Sequence, residues 1–122
     1  MNTYADAPAA IGPYSQAIVS PLSSLSPVAS ASTQDRHIRR GGVEAQARQA
    51  LQNLKNVVEA SGSEVGKIVK TTVFLKDMND FGAVNMIYEQ FFGQHKPARS
   101  LVEVARIPRD GLFEIEAIAS VA

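Results

Sequence analysis

The hydrophobic period of this chain switches sharply from helical to strand-like after Gly62, and that switch restricts its fold more than any single residue does. From Val43 to Ser61 the apolar positions Val43, Ala47, Leu51, Leu54 and Val58 recur every three or four residues, which is the spacing of a helix with one buried face. Gly62 follows where a helix terminus favours a left-handed residue, and Ser63 to Gly66 supplies a turn. Lys67 to Asp77 then reads Ile68-Val69-Lys70-Thr71-Thr72-Val73-Phe74-Leu75-Lys76, whose β-branched residues suit a largely buried strand. Such a chain must lay helix on sheet.

The pattern then repeats. Asn79 or Asp80 is placed to cap a second helix in which Phe81, Val84, Tyr88, Phe91 and Phe92 form one apolar stripe, ending before Gly93 and Pro97. Two strand-like runs come next, Pro97 to Arg106 and Phe113 to Ala119, separated by the turn-forming Ile107-Pro108-Arg109-Asp110-Gly111. Upstream, two prolines and a glycine between Ala7 and Pro13 favour an extended entry into a short strand from Tyr14 to Val19. The expected order is strand, helix, strand, helix, strand, strand. It implies an α+β sandwich, a mixed β-sheet with two helices packed on one face, whose other face is covered by another subunit in a small homo-oligomer.

With 122 residues the chain is expected to form a single domain, 1–122. Lysine plus arginine equals aspartate plus glutamate at 12 each, so no net field recruits nucleic acid or an anionic membrane. The absence of cysteine removes disulfides, thiolate nucleophiles and cysteine-based metal sites, and two histidines far apart in sequence do little for a metal. Met1 to Ala10 lacks a basic segment followed by an apolar run, and no later stretch reaches transmembrane length. The expectation is a soluble, cytoplasmic protein, with an organelle such as the mitochondrion as the alternative.

Residues 20–40 stand apart. Serine and proline dominate the first half and basic residues the second, without a clear period, so the composition reads as a loop. A structureless segment of that length inside a compact domain is uncommon unless it is functional.

Four side chains carry potential chemistry. Arg99 opens an otherwise apolar strand, where a planar guanidinium serves either as a carboxylate clamp or as a structural ion pair. Glu114 and Glu116 alternate to the same side of the last strand; either could shuttle a proton, and both could equally form a solvated edge. Tyr14 could line a cleft with its hydroxyl directed at a ligand, or pack half-buried. A guanidinium and a carboxylate on neighbouring strands would build a site for a small acid. The cluster Arg36-His37-Arg39-Arg40 gives local support to an RNA-directed role, but it has no aromatic neighbour for stacking, and only His37 and His95 are candidates to titrate at a phosphate.

The blocks Ala7-Pro8-Ala9-Ala10-Ile11-Gly12-Pro13-Tyr14-Ser15-Gln16-Ala17 and Gln46-Ala47-Arg48-Gln49-Ala50-Leu51-Gln52-Asn53-Leu54-Lys55 closely resemble the RidA/YjgF family of enamine and imine deaminases. Val69 to Asp77, Pro97-Ala98-Arg99-Ser100 and Glu114-Ile115-Glu116-Ala117-Ile118-Ala119 are similar to its remaining signature blocks, in the same order. The resemblance implies a chorismate-mutase-like fold, a homotrimer with sites in the intersubunit clefts, and no cofactor or metal. It also implies hydrolysis of reactive 2-imino and enamine acids (2-aminoacrylate, 2-iminopropanoate, 2-iminobutanoate) to 2-oxo acids and ammonia.

Carried over residue by residue, the resemblance makes Arg99 the substrate-carboxylate ligand. It makes Glu114, rather than Glu116, the carboxylate beside the attacking water, and Tyr14 a catalytic and substrate-binding aromatic in the cleft. Leu101 stands where many relatives have cysteine, which removes thiol-dependent side reactions but not water-based hydrolysis. A serine-glycine loop that helps hold the carboxylate in the family falls on Pro27, Val28 and Ala29, none of which matches. Either real divergence or compensating frame shifts across residues 20–40 would account for that. Two further readings remain at this stage: an endoribonuclease or translation inhibitor, a role also ascribed to this family, and a non-catalytic trimer that binds small acids.

Overall fold

The computed structural model describes residues 17–21, 27–33 and 42–121. In chain order the elements are β1 (Ala17–Pro21), β2 (Pro27–Thr33), α1 (Gly42–Ala60), β3 (Ile68–Leu75), α2 (Phe81–Phe92), β4 (Ala98–Glu103) and β5 (Phe113–Ser120). The strands form one five-stranded sheet in the order β1-β2-β5-β3-β4. β3 and β4 run parallel, joined by the α2 crossover, and the other neighbours are antiparallel, so the sheet is mixed.

Both helices cover one face of this sheet. Ala47, Leu51, Leu54, Val57 and Val58 from α1 meet Val84, Tyr88 and Phe92 from α2 above Val73 and Leu75 of β3 and Phe113, Ile115 and Ala117 of β5. The alternation along β5 is regular: Phe113, Ile115, Ala117 and Ala119 are buried under the helices, while Glu114, Glu116 and Ile118 point the other way. Gln46 on α1 ties the layers together, its Oε1 accepting the Leu112 backbone N–H at 2.8 Å just before β5 begins. At the end of α1, Gly62 takes φ +91°, its N–H donates to Glu59 O and the Ser63 N–H donates to Val58 O. That closure needs a left-handed residue, which is why the helix stops at this glycine.

Four expectations change. Residues 20–40 are not one loop, because Pro27–Thr33 forms β2, paired to β1 on one side and β5 on the other. Pro-Val-Ala-Ser-Ala-Ser-Thr carries no alternation of large apolar and polar residues, so only backbone pairing on both edges reveals the strand. The position carried over for the carboxylate loop, Pro27 to Ala29, is therefore strand. Ala17 to Val19 of the first expected strand lie in β1, and Tyr14 to Gln16 lie outside the described residues.

Neither Asn79 nor Asp80 caps α2 with its side chain. The cap falls one turn earlier, where Asp77 Oδ1 accepts the Asn79 N–H at 2.9 Å and starts a short 3-10 turn that runs into α2. Finally, the strands bearing Arg99 and Glu114 are not neighbours, since β3 stands between them.

Candidate active site

Arg99 is the second residue of β4 and lies opposite Thr71 of β3 in the parallel ladder. Paired residues share a face, and Thr71 is buried on the helix side, so the guanidinium rises toward α2. There it meets three residues of one helical stripe, Phe81, Asn85 and Tyr88, at relative positions i, i+4 and i+7. Arg99 Nη1 donates to Asn85 Oδ1 at 2.7 Å. The Arg99 Cζ lies 4.7 Å from the Tyr88 ring centroid and 5.8 Å from that of Phe81, both within cation–π range. Phe81 thus leaves the packing stripe expected for it: it is 38% exposed and faces the guanidinium, while Val84, Ile87, Tyr88 and Phe92 are buried.

Tyr88 is fixed from below. Its hydroxyl and the Thr71 hydroxyl are 2.7 Å apart in the buried layer, and its ring centroid lies 4.5 Å from that of Phe92. Burial pushes the Tyr88 hydroxyl pKa up, against the opposing pull of the Thr71 hydrogen bond and the Arg99 charge, so it stays protonated at neutral pH.

Beside the guanidinium opens a cavity of about 300 Å³ whose walls include Arg99, Tyr88, Phe92, His95 and Lys96. Its lining mixes aromatic side chains with the cations of Arg99 and Lys96 and the one carboxylate of Glu89, a set suited to a small organic anion held at the guanidinium. His95 is held across the connection to β4, its Nε2 2.6 Å from Ile68 O. Among the described residues no group of three or more acidic or histidine side chains is placed to hold a metal ion, and no helix is long and apolar enough to cross a membrane.

Glu114 stands elsewhere. It lies opposite Phe74 of β3 and points away from the helices, half-buried on the other face of the sheet. Burial, and secondarily the like charge of Glu116 on the same face, raise its carboxyl pKa above the ordinary range. Two strand spacings and a three-residue offset in register put the two Cα atoms roughly 14 Å apart, with side chains on opposite faces of the sheet. A single copy of the chain therefore does not bring Arg99 and Glu114 to one small molecule.

Asn85, Thr71 and Tyr88 as partners of Arg99 were not legible in the sequence. The one signal was a polar Asn85 set between Phe81 and Tyr88 on an otherwise apolar stripe.

A mixed sheet roofed on one face by two helices, with an arginine-walled cleft at the α2 edge, defines a small α+β protein that is shared by several solved structures. The YjgF gene product of E. coli superposes with a TM-score of 0.82 at 49% identity, covering 96% of this chain and 94% of that one. E. coli TdcF with bound serine does so with a TM-score of 0.83 at 41% identity, over the same shares of the two chains. The sequence profile described as Endoribonuclease L-PSP matches residues 4–121, and the chain belongs to that family, the RidA/YjgF family. A Salmonella typhimurium relative named 2-iminobutanoate/2-iminopropanoate deaminase is 52% identical over 124 residues, covering 93% of this chain and 91% of its own length. A RutC family protein of Pyrococcus horikoshii is 45% identical over 118 residues, with the same coverage.

Proposed function

We propose that this chain is a hydrolytic deaminase of small 2-imino and enamine acids, working as a homotrimer whose clefts lie between subunits. The carrying observation is the fixed, cavity-facing guanidinium of Arg99 in a chain 52% identical to a named 2-iminobutanoate/2-iminopropanoate deaminase. With Nη1 held by Asn85, the edge formed by Nε and Nη2 is left for the two oxygens of a substrate carboxylate, a bidentate geometry that also orients C2 for attack.

An enamine acid first takes up a solvent proton at C3 to give the iminium form of the imine. Water then adds to C2, forming the C–O bond while Glu114 accepts the proton. Glu114 returns that proton to nitrogen; as the C–N bond breaks and ammonia leaves, the C2 hydroxyl gives its proton to Glu114 and becomes the carbonyl. A carboxyl whose pKa is raised by burial holds a proton more readily, which suits both transfers. Tyr14, which lies outside the described residues, is assigned to the same cleft on the family resemblance.

Because Arg99 and Glu114 occupy opposite faces of one sheet, they act together only when one copy supplies the arginine and another the glutamate. The face that bears Glu114 also carries the half-buried Phe74 and Ile118, which a neighbouring subunit would cover. The ribonuclease reading, which the family description keeps in view, ranks second. Of its two histidines, His95 is engaged by the Ile68 carbonyl and His37 lies outside the described residues.

The test is turnover of freshly generated 2-iminobutanoate, followed as 2-oxobutanoate and ammonia, in the wild type, Arg99→Ala and Glu114→Gln. The reading requires a rate above buffer that both substitutions abolish. Turnover unaffected by Arg99→Ala, or no turnover by the wild type, overturns it.

A further inference from the structure

An arginine on an exposed edge strand explores many rotamers, and ordering it at the moment of binding costs affinity. Arg99 is exposed, yet its guanidinium is already fixed at Nη1 by Asn85 and lies over the Tyr88 ring. The ring is in turn locked on both sides. Its hydroxyl meets the buried Thr71 hydroxyl on the strand directly beneath Arg99, and its far side packs on Phe92. A phenylalanine would fill the same core space, so the hydroxyl fixes the tilt of the ring rather than its burial. The residues that would set the guanidinium plane therefore come from two elements, Asn85 and Tyr88 from α2 and Thr71 from β3.

We propose that Tyr88 is a positioning residue for the carboxylate clamp: its ring, held by Thr71, is the platform that sets the plane of the Arg99 guanidinium and leaves the Nε/Nη2 edge facing the cavity. Tyr88 touches neither the reacting atoms nor the carboxylate. It acts through Arg99, and the proposal rests on the reading of Arg99 as the carboxylate ligand.

Two readouts test it. The first needs no substrate. In the intact wild-type protein, stacking at 4.7 Å places the Arg99 side-chain protons in the shielding cone of Tyr88, so their NMR resonances are shifted upfield and the two Nη groups are resolved. The second is a steady-state comparison with 2-iminobutanoate. Tyr88→Leu removes the ring and is expected to raise KM at least about threefold while kcat stays within about twofold, and to average the Nη resonances. Tyr88→Phe keeps the ring but loses the Thr71 contact that fixes its tilt, and is expected to raise KM by less than Tyr88→Leu does.

Unshifted Arg99 resonances in the wild type, or Tyr88→Leu with unchanged KM and a lowered melting temperature alone, would overturn the proposal. So would Tyr88→Phe raising KM as much as Tyr88→Leu. If Tyr88→Leu does not fold, the wild-type spectrum still decides. If Arg99→Ala keeps full turnover, the clamp reading fails by itself, and the substrate-free spectrum reports separately on the platform.

Discussion

Mixing two inactive variants should restore activity. In one copy, Arg99 and Glu114 are about 14 Å apart and on opposite faces of the sheet, whereas a four-carbon imino acid spans about 5 Å between its carboxylate and its reacting carbon's far substituent. No side-chain rotation in one chain closes that gap, because β3 and the buried layer lie between. If each cleft draws its arginine from one subunit and its glutamate from the next, Arg99→Ala and Glu114→Gln homotrimers are each dead. A trimer assembled at random from equal amounts of the two contains intact clefts: each has an even chance of receiving a wild-type arginine and an even chance of receiving a wild-type glutamate. About one quarter of all sites in the random mixture should therefore work; the mixed species alone, freed of both homotrimers, has one intact cleft in three and should reach roughly 33% of the wild-type rate per chain. The assay is co-expression with two different affinity tags, isolation of the mixed species, and 2-iminobutanoate turnover. A mixed species no more active than either parent would refute the argument, since it would place both residues of each site in one subunit.

Arg99→Lys keeps the charge but loses one arm of the bidentate pair, a bond to a charged group that contributes about 1.5–3 kcal/mol, so kcat/KM should fall by roughly 10- to 150-fold with the melting temperature unchanged. A loss under threefold would show that a point charge suffices. Glu116→Gln removes the like charge that helps raise Glu114, so the acid limb of the kcat/KM profile should move to lower pH; an unmoved limb would exclude the coupling. The folded state holds the Glu114 proton more tightly than the unfolded chain, so its ionised form opposes folding above the raised pKa and the penalty fades as pH falls toward ordinary carboxylate values. Glu114→Gln should accordingly raise the melting temperature at pH 7 to 8 and lose that advantage on acidification, as thermal scans across pH will register. In the core, Leu54 is fully buried, and Leu54→Ala should cost about 2–5 kcal/mol in urea unfolding without changing KM in the fraction that remains folded.

Much of this architecture is local and was legible in the residues. The 3.6-residue spacing from Val43 to Val58, the left-handed glycine at Gly62, the β-branched run from Ile68 to Leu75 and the alternation of β5 each follow from short-range sterics and burial, and each appears where that pattern puts it. Even the α+β class follows from these neighbours in sequence. Strand β2 did not show itself, because its small residues carry no period and its stability comes from partners 6 to 14 positions away in β1 and 82 to 92 positions away in β5.

The site divides along the same line. The residue types at Arg99 and Glu114 were evident from sequence because bidentate carboxylate binding and proton transfer each need a particular functional group. Their spatial relation was not, since it depends on the insertion of β3 between β4 and β5 and on which way each pleat points. Only the tertiary structure could place Thr71, Asn85 and Tyr88 around the guanidinium, because those contacts join β3, α2 and β4 across gaps of 11 to 28 positions, and no local pattern encodes a meeting made by packing.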